Sequence, residues 1–379
     1  MKKNPVISPS FVIEESLLRQ NLEILKSVSD RSGADILIAL KAFAAWKIFP
    51  IIREYFKFAA ASSSFEARLA AEELGGLAHT CSPAYTNENF DEIMNFSSHI
   101  TFNSLAQFEK FIPQIQKHPY KISCGLRINP EYSDIKTEIY NPAAPGSRLG
   151  ITRSALGKTL PEGIEGLHFH AMFESSSVSL ENTLKYTEAR FGDLFHQIKW
   201  LNIGGGHNIT NRKYDTGHLV SILTSLKERY PNLQVILEPG AAFVLNAGYL
   251  LATVVDVVES NGIKTAILDI SFTCHAPDCL EMPYKPVIQS AYPEPVAGKP
   301  TYRLGGNSCL SGDFIGEYSF KKELHAGSEI KFLDMIQYTT VKTTMFNGIQ
   351  HPNICLNKED GYLRTLRRFT YNDYKNRMD

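Results

Sequence analysis

The sequence predicts an α/β protein, a (β/α)8 barrel followed by a C-terminal β domain. Three observations carry this. Between residues 36 and 240 a short apolar run ending in polar residues or glycine recurs eight times, with amphipathic stretches between most of the runs. Beyond about residue 247 the helical stretches stop and β-branched runs take over. At 379 residues the chain is too long for one small domain and suits one large barrel with a smaller companion.

The eight runs are Ile36–Leu40, Phe56–Ser62, Leu77–Ser82, His99–Ser104, Ile122–Asn129, Ile164–Ala171, Lys199–Gly206 and Gln234–Gly240. Stretches such as 64–74, 104–116, 177–196 and 217–229 carry apolar residues at helical spacing. Strands alternating with helices imply parallel pairing, because a crossover must carry the chain back to the start of the next strand. Eight such units in about two hundred residues favour a closed barrel; an open doubly wound sheet is the alternative.

After residue 247 the runs YLLATVVDVVES, KTAILDIS, TYRLGG, EIKFLDM and YTTVKTTMF read as strands of a separate β domain. The opening VISPSFVIEE is also strand-like. The expected division is therefore residues 12–247 for the barrel and 248–379 for the β domain, joined by an N-terminal strand over residues 1–11. The tail RTLRRFTYNDYKNRMD reads as a surface strand or helix with a frayed end.

A net charge of −1 gives no electrostatic footprint for nucleic acid or an anionic membrane. No stretch approaches the ~18 apolar residues of a membrane span. The two N-terminal lysines precede no apolar run, so no signal peptide is expected. Six cysteines stand far apart without a CxxC pair and read as free thiols of a cytoplasmic protein.

In a barrel, reactive side chains sit at the C-terminal ends of the strands. Lys41 follows the first run, DILIAL. Burial there disfavours its ammonium form and makes the amine a usable nucleophile toward an aldehyde cofactor; the plain alternative is a lysine snorkelling outward. His168 and His170 end GLHFH on one face of a strand. They suit a ring that stacks on a flat cofactor, a metal pair, or two satisfied core histidines; without carboxylate partners no metal is expected. Gly204, Gly205 and Gly206 let the backbone approach a ligand, and their amides can cradle a phosphate. Glu238 ends VILEPG, where a buried carboxylate needs a positive partner such as a pyridinium nitrogen or a salt bridge at the rim.

Lys41, HFH ending at His170, GGG at 204–206, EPG at 238–240, GNSCLSGD at 306–313 and Tyr338, in this order, resemble the barrel-fold basic amino acid decarboxylases. That group includes the ornithine, diaminopimelate and arginine decarboxylases. GLHFHAMFES and HAPDCLEMPY look most like the carboxynorspermidine (carboxyspermidine) decarboxylases of polyamine synthesis. The resemblance covers nearly the whole chain. It implies pyridoxal 5'-phosphate as cofactor, Lys41 as its Schiff-base lysine, and His170 against its ring. Gly204, Gly205, Gly206 and Tyr338 would hold its phosphate, and Glu238 its pyridine nitrogen. Cys309 would come from the neighbouring subunit of a homodimer with shared active sites and protonate the carbanion, with Asp313 nearby as a substrate-binding residue. Arg148 matches a basic position without a definite role.

Two departures bear on the substrate. Ornithine and diaminopimelate enzymes have an arginine soon after the EPG glycine, where this chain has EPGAAF. The residue after the catalytic cysteine is usually acidic in those relatives; here it is Leu310. Another acid must then hold the distal amines, with Asp278 as first choice and Glu281 as second. The expected reaction is decarboxylation of carboxynorspermidine or carboxyspermidine to norspermidine or spermidine. A diaminopimelate-like decarboxylase and a catalytically silent binding relative are the alternatives.

Overall fold

The structure is a computed structural model, and it describes residues 6–281 and 283–379. The chain forms two compact units. One is Asn21–Phe243; the other combines the chain up to Gln20 with Val244–Asp379.

In the first unit eight parallel strands close into a barrel. The strand at the start is a single run whose first half, Asp35–Ile36, pairs with Gln234–Leu237 and whose second half, Ile38–Ala39, pairs with Ala59–Ala61. Between these ends the order follows the sequence: Ala78–Cys81, Ser97–Phe102, Ser123–Arg127, Ile164–His168 and Trp200–Asn202. Each of the eight apolar runs overlaps one of these strands, and the sheet is closed rather than doubly wound. Helices Asn87–Phe96, Leu105–Ile115, Ser177–Phe191 and Thr216–Arg229 lie between strands. Ser63, Ser104, Ser176 and Asp215 start their helices by accepting a hydrogen bond from an amide of the first turn. No long helix joins Ser123–Arg127 to Ile164–His168; that connection carries only the short turns Glu138–Tyr140 and Arg153–Ala155.

The barrel interior is filled, not open. Trp200 projects inward over Gly166 on the adjacent strand and Gly125 on the strand beyond it. A Cβ on Gly166 would lie 2.0 Å from Trp200 Cδ2, and one on Gly125 2.2 Å from its Cη2. The indole Nε1–H donates to Ser123 Oγ at 2.8 Å, which satisfies its one polar atom inside the protein. Side chains two residues further along a strand share the same face. Arg127 therefore stands above Gly125, His168 above Gly166 and Asn202 above Trp200, at the C-terminal mouth.

The second unit is a nine-stranded sheet. Its long central strand, Gly248–Ser260, pairs along its first half with Ser10–Glu14 and Glu329–Leu333, and along its second half with Ile263–Leu268. Ser10–Glu14 also pairs in parallel with Asn353–Asn357. Of the N-terminal strand expected over residues 1–11, residues 1–5 lie outside the described residues. Strand Leu363–Arg367 and helix Tyr371–Met378 account for the tail.

One run expected as a strand is not one. In YTTVKTTMF, Tyr338–Val341 is a helical turn. The Thr340 hydroxyl donates to the Ile336 and Gln337 carbonyls, and Thr343 Oγ1 to the Thr340 carbonyl. These local bonds compete with a sheet ladder for the same backbone groups.

Gly166→Ala should destabilise the barrel by about 1–3 kcal/mol, because the added methyl meets a ring that cannot move away in a filled interior. A lower denaturant midpoint is the expected result; an unchanged midpoint would mean that Trp200 has room to shift.

Candidate active site

Lys41 lies where the first strand ends. The chain turns at once after it: the Ala42 amide donates to the Ala39 carbonyl at 3.0 Å and the Phe43 amide to the Leu40 carbonyl at 3.1 Å. Ala42 and Phe43 are buried, whereas Lys41 is reached by solvent from the mouth. Protein nevertheless surrounds it closely, and this crowding, not its access to water, governs its charge. Loss of hydration pushes its pKa below the ordinary lysine value; Glu238 opposes that shift and Arg127 adds to it.

His170 leaves the sixth strand with its Nδ1 accepting the Gly205 amide at 3.0 Å. In the neutral ring the proton is then on Nε2. Burial, then the positive charges of Lys41 and Arg127, hold its pKa well below the usual histidine range, so it is neutral at physiological pH. Gly204 and Gly206 adopt φ of +70° and +92°, where a side chain is strained. The space is also closed. A Cβ would stand 2.6 Å from the Phe169 carbonyl oxygen at Gly204, 2.1 Å from that of Glu238 at Gly205, and 2.0 Å from that of Met172 at Gly206.

Asn202 ties this loop to Glu238. Its Oδ1 accepts the Gly204 amide at 2.9 Å and its Nδ2 donates to Glu238 Oε1 at 2.6 Å. Burial raises the Glu238 pKa, while Asn202, Lys41 and Arg127 pull it back down. Cys81 stands in the same field. Burial lifts its thiol to about 11, with Arg127 and Lys41 opposing, so it is not ionised at neutral pH.

Arg127, 9% exposed, completes the group. It donates from Nη2 to the His170 carbonyl at 3.4 Å. Neither Arg127 nor Asn202 stands out in the sequence. Each occupies the last inward position of its strand, and a cation or amide there, after a glycine or tryptophan on the same face, is the signal that finds them.

The other expected residues lie in the second unit. Cys309 is exposed on the loop 306–313, and its amide donates to Asn347 Oδ1 at 2.9 Å. Asp313 is buried, with its carboxylate turned to the backbone. Oδ1 accepts the Thr273 amide at 3.0 Å and Oδ2 the Ser308 amide at 3.2 Å, which bind the loop to its neighbour. Asp278 Oδ2 accepts from Tyr284 at 2.8 Å and Thr339 at 3.1 Å, whereas Oδ1 is buried without a partner. Glu281 forms an exposed ion pair with Lys342. Half-buried Tyr338 begins the helical turn Tyr338–Val341. In the first unit, Arg148 is exposed in the irregular connection, and its carbonyl accepts from Asn103 at 2.8 Å.

The barrel mouth thus brings together an amine of lowered pKa, a neutral imidazole, a glycine backbone that no side chain can obstruct, and a buried acid. This donor set fits a flat aldehyde cofactor with a phosphate tail and a basic ring nitrogen. Among the described residues no cluster of three or more His, Cys, Asp or Glu is arranged to hold a metal ion, and no helix is long and apolar enough to cross a membrane.

Comparison with known proteins gives the same chemistry. The family model for the pyridoxal-dependent decarboxylase, C-terminal sheet domain, matches residues 11–336. The chain is 45% identical to the carboxyaminopropylagmatine decarboxylase of Synechocystis sp. over 98% of its length and 95% of the relative's. It is 42% identical to the carboxynorspermidine/carboxyspermidine decarboxylase of Campylobacter jejuni, over 97% of each. The crystal structure of the Campylobacter jejuni carboxynorspermidine decarboxylase complexed with norspermidine superposes with a TM-score of 0.91 at 41% identity, covering 98% of this chain and 100% of that one. The chain belongs to the pyridoxal-dependent decarboxylases, in the carboxynorspermidine/carboxyspermidine decarboxylase family.

Proposed function

We propose that this chain removes carbon dioxide from a carboxylated polyamine, carboxynorspermidine or carboxyspermidine, and releases norspermidine or spermidine. The observation that carries this is the meeting of Lys41, His170 and Glu238 at one barrel mouth, in a member of this family. Carboxyaminopropylagmatine is a second candidate substrate, favoured by the 45% identity to the Synechocystis enzyme. These substrates share an amino acid end; the first two differ by one methylene, and carboxyaminopropylagmatine differs from both in carrying a guanidinium at the far end.

Lys41 would hold the aldehyde end of pyridoxal phosphate, His170 the ring face and Glu238 the ring nitrogen. Gly204, Gly205, Gly206 and Tyr338 would hold the phosphate. When bound, the cofactor supplies an electron sink for the pair released as the carboxylate leaves. Lys41 would act as nucleophile, and its lowered pKa puts more of it in the free-amine form at a given pH than an ordinary lysine. Glu238 would accept a hydrogen bond from the ring nitrogen and hold the proton there. Cys309 Sγ delivers a proton to the substrate α-carbon, so one proton enters as one carbon dioxide departs. Cys309 would serve the neighbouring subunit's site, which makes the working unit a homodimer; free cysteines without a CxxC pair are the support for a cytoplasmic location. Asp278 takes the distal cation: its unpartnered Oδ1 is a buried acceptor, and a buried acceptor is costly until it is paired. Asp313 is read as the residue that shapes the Cys309 loop, and Glu281 as the weaker choice for the substrate, since Lys342 already occupies it.

Borohydride reduction of the loaded protein should fix the cofactor on Lys41, and peptide mapping checks it; a label on another lysine overturns the assignment. Because the Lys41 pKa is lowered, more of its amine is free at a given pH. Cofactor loading onto the apoprotein should therefore reach its plateau below the pH at which an ordinary lysine, near 10.5, deprotonates. A plateau only above that pH would count against a desolvated amine.

Asp278→Ala should lower kcat/KM for the triamine substrate, by ~2–5 kcal/mol in transition-state terms if the pair is desolvated, with unchanged cofactor absorbance. Running carboxynorspermidine, carboxyspermidine and carboxyaminopropylagmatine side by side ranks the substrates. Equal kinetics for variant and wild type would remove Asp278 from recognition.

Mixing inactive Lys41→Ala with inactive Cys309→Ala should restore part of the activity, since a mixed dimer contains one site with both residues intact. No rescue, with subunit exchange verified by mass, would place each site within one chain.

A further inference from the structure

His168 is 3% exposed, yet neither of its ring nitrogens has a hydrogen-bond partner. Buried polar atoms are rarely left so, and such a group calls for a reason. Its Nε2 lies 3.5 Å from Glu238 Oε2, beyond a formed hydrogen bond but within reach of one after a small shift. The other carboxylate oxygen, Oε1, is already held by Asn202 at 2.6 Å. His168 pairs with Asn202 across adjacent strands, so both point at Glu238 from neighbouring inward positions.

We propose that His168 is a positioning residue for Glu238: its Nε2–H donates to Oε2 while Asn202 donates to Oε1, and the two together fix the plane of the carboxylate. The proposal rests on the reading of Glu238 as the acid that meets the cofactor's ring nitrogen. A carboxylate has about four acceptor sites, so the two donors leave lone pairs free for a third. The opposite tautomer is disfavoured. It would turn the Nε2 lone pair toward a carboxylate oxygen and leave a buried Nδ1–H without an acceptor. The ring stays uncharged, because burial, then Arg127, Lys41 and His79, hold its pKa well below the usual range. An imidazolium there would compete with the ring nitrogen for the charge of Glu238; a neutral donor orients the acid and leaves that charge available. In the sequence the pair His168 and His170 reads as one unit, but the two rings do different work. His170 accepts a loop amide, and His168 faces the acid.

The test uses the full-length protein. In His168→Phe the ring volume is kept and the donor lost; in His168→Gln a donor is kept. We expect His168→Phe to weaken cofactor affinity, measured by equilibrium dialysis of the apoprotein, and to lower kcat, each by about tenfold, the scale of one hydrogen bond to a charged group. KM should change little, and His168→Gln should recover most of both losses. In a Glu238→Gln background the same His168→Phe change should cost much less, because coupled residues do not add. Full additivity in that background, or wild-type affinity and kcat in His168→Phe, overturns the proposal. If His168→Phe does not fold, nitrogen-15 NMR of histidine-labelled wild type decides: a proton on Nε2 supports the proposal, and one on Nδ1 overturns it. Wild-type behaviour of Glu238→Gln by itself would instead overturn the reading of Glu238, while the tautomer result still judges the His168–Glu238 contact.

Discussion

The run at residues 35–39 hydrogen-bonds to the last barrel strand with its first half and to the second strand with its other half. This double pairing closes the sheet, and closure dictates the inward-facing side chains. Alternate residues on every strand must then share one confined interior. Trp200 fills the middle of that space against two glycines, so the residues one step higher are lifted to the mouth. Lys41, Arg127, His168, Asn202 and Glu238 reach the site by that route. A slip of one residue in any of these strands would send its reactive side chain outward.

Gathering such groups in one place has an electrostatic consequence. Burial pushes Lys41 toward the neutral amine and Glu238 toward the neutral acid, and each charge moderates the shift of the other. Burial keeps His168 and His170 neutral, the Arg127 cation adds to that shift, and the same cation offsets the rise in Glu238. The mouth is therefore a set of mutually adjusted protonation states. Pyridoxal chemistry needs that arrangement: a free amine, a neutral ring beside the cofactor and an acid for its nitrogen.

The carboxylates of the second unit are used in three different ways. Asp313 spends both oxygens on amides of its own fold, Glu281 is matched by a surface lysine, and Asp278 keeps one buried oxygen in reserve. Residue type and spacing make these three look alike. What separates them is which backbone amides and cations the fold brings within reach.

Residues that announce their chemistry locally were legible in the chain itself. Eight apolar runs determine the barrel, and Lys41 after the first, GGG after the seventh and Glu238 after the eighth mark its strand ends, because strand length, glycine torsion and strand-end position are properties of a few adjacent residues. Tertiary structure decided the rest. Arg127 and Asn202 acquire meaning only across strands, where Asn202 bridges Gly204 and Glu238. Ser10–Glu14 finds its sheet through partners near residues 250 and 355, a pairing that no local pattern encodes. The threonine-rich run at 338–346 has strand-forming composition, yet its hydroxyls find carbonyls one turn back and hold it as helix and turn. Short-range periodicity records which residues face inward. Which of them meet is set by strand pairing over long sequence separations, so hydrogen-bond partners and charge states emerge only when the chain is folded.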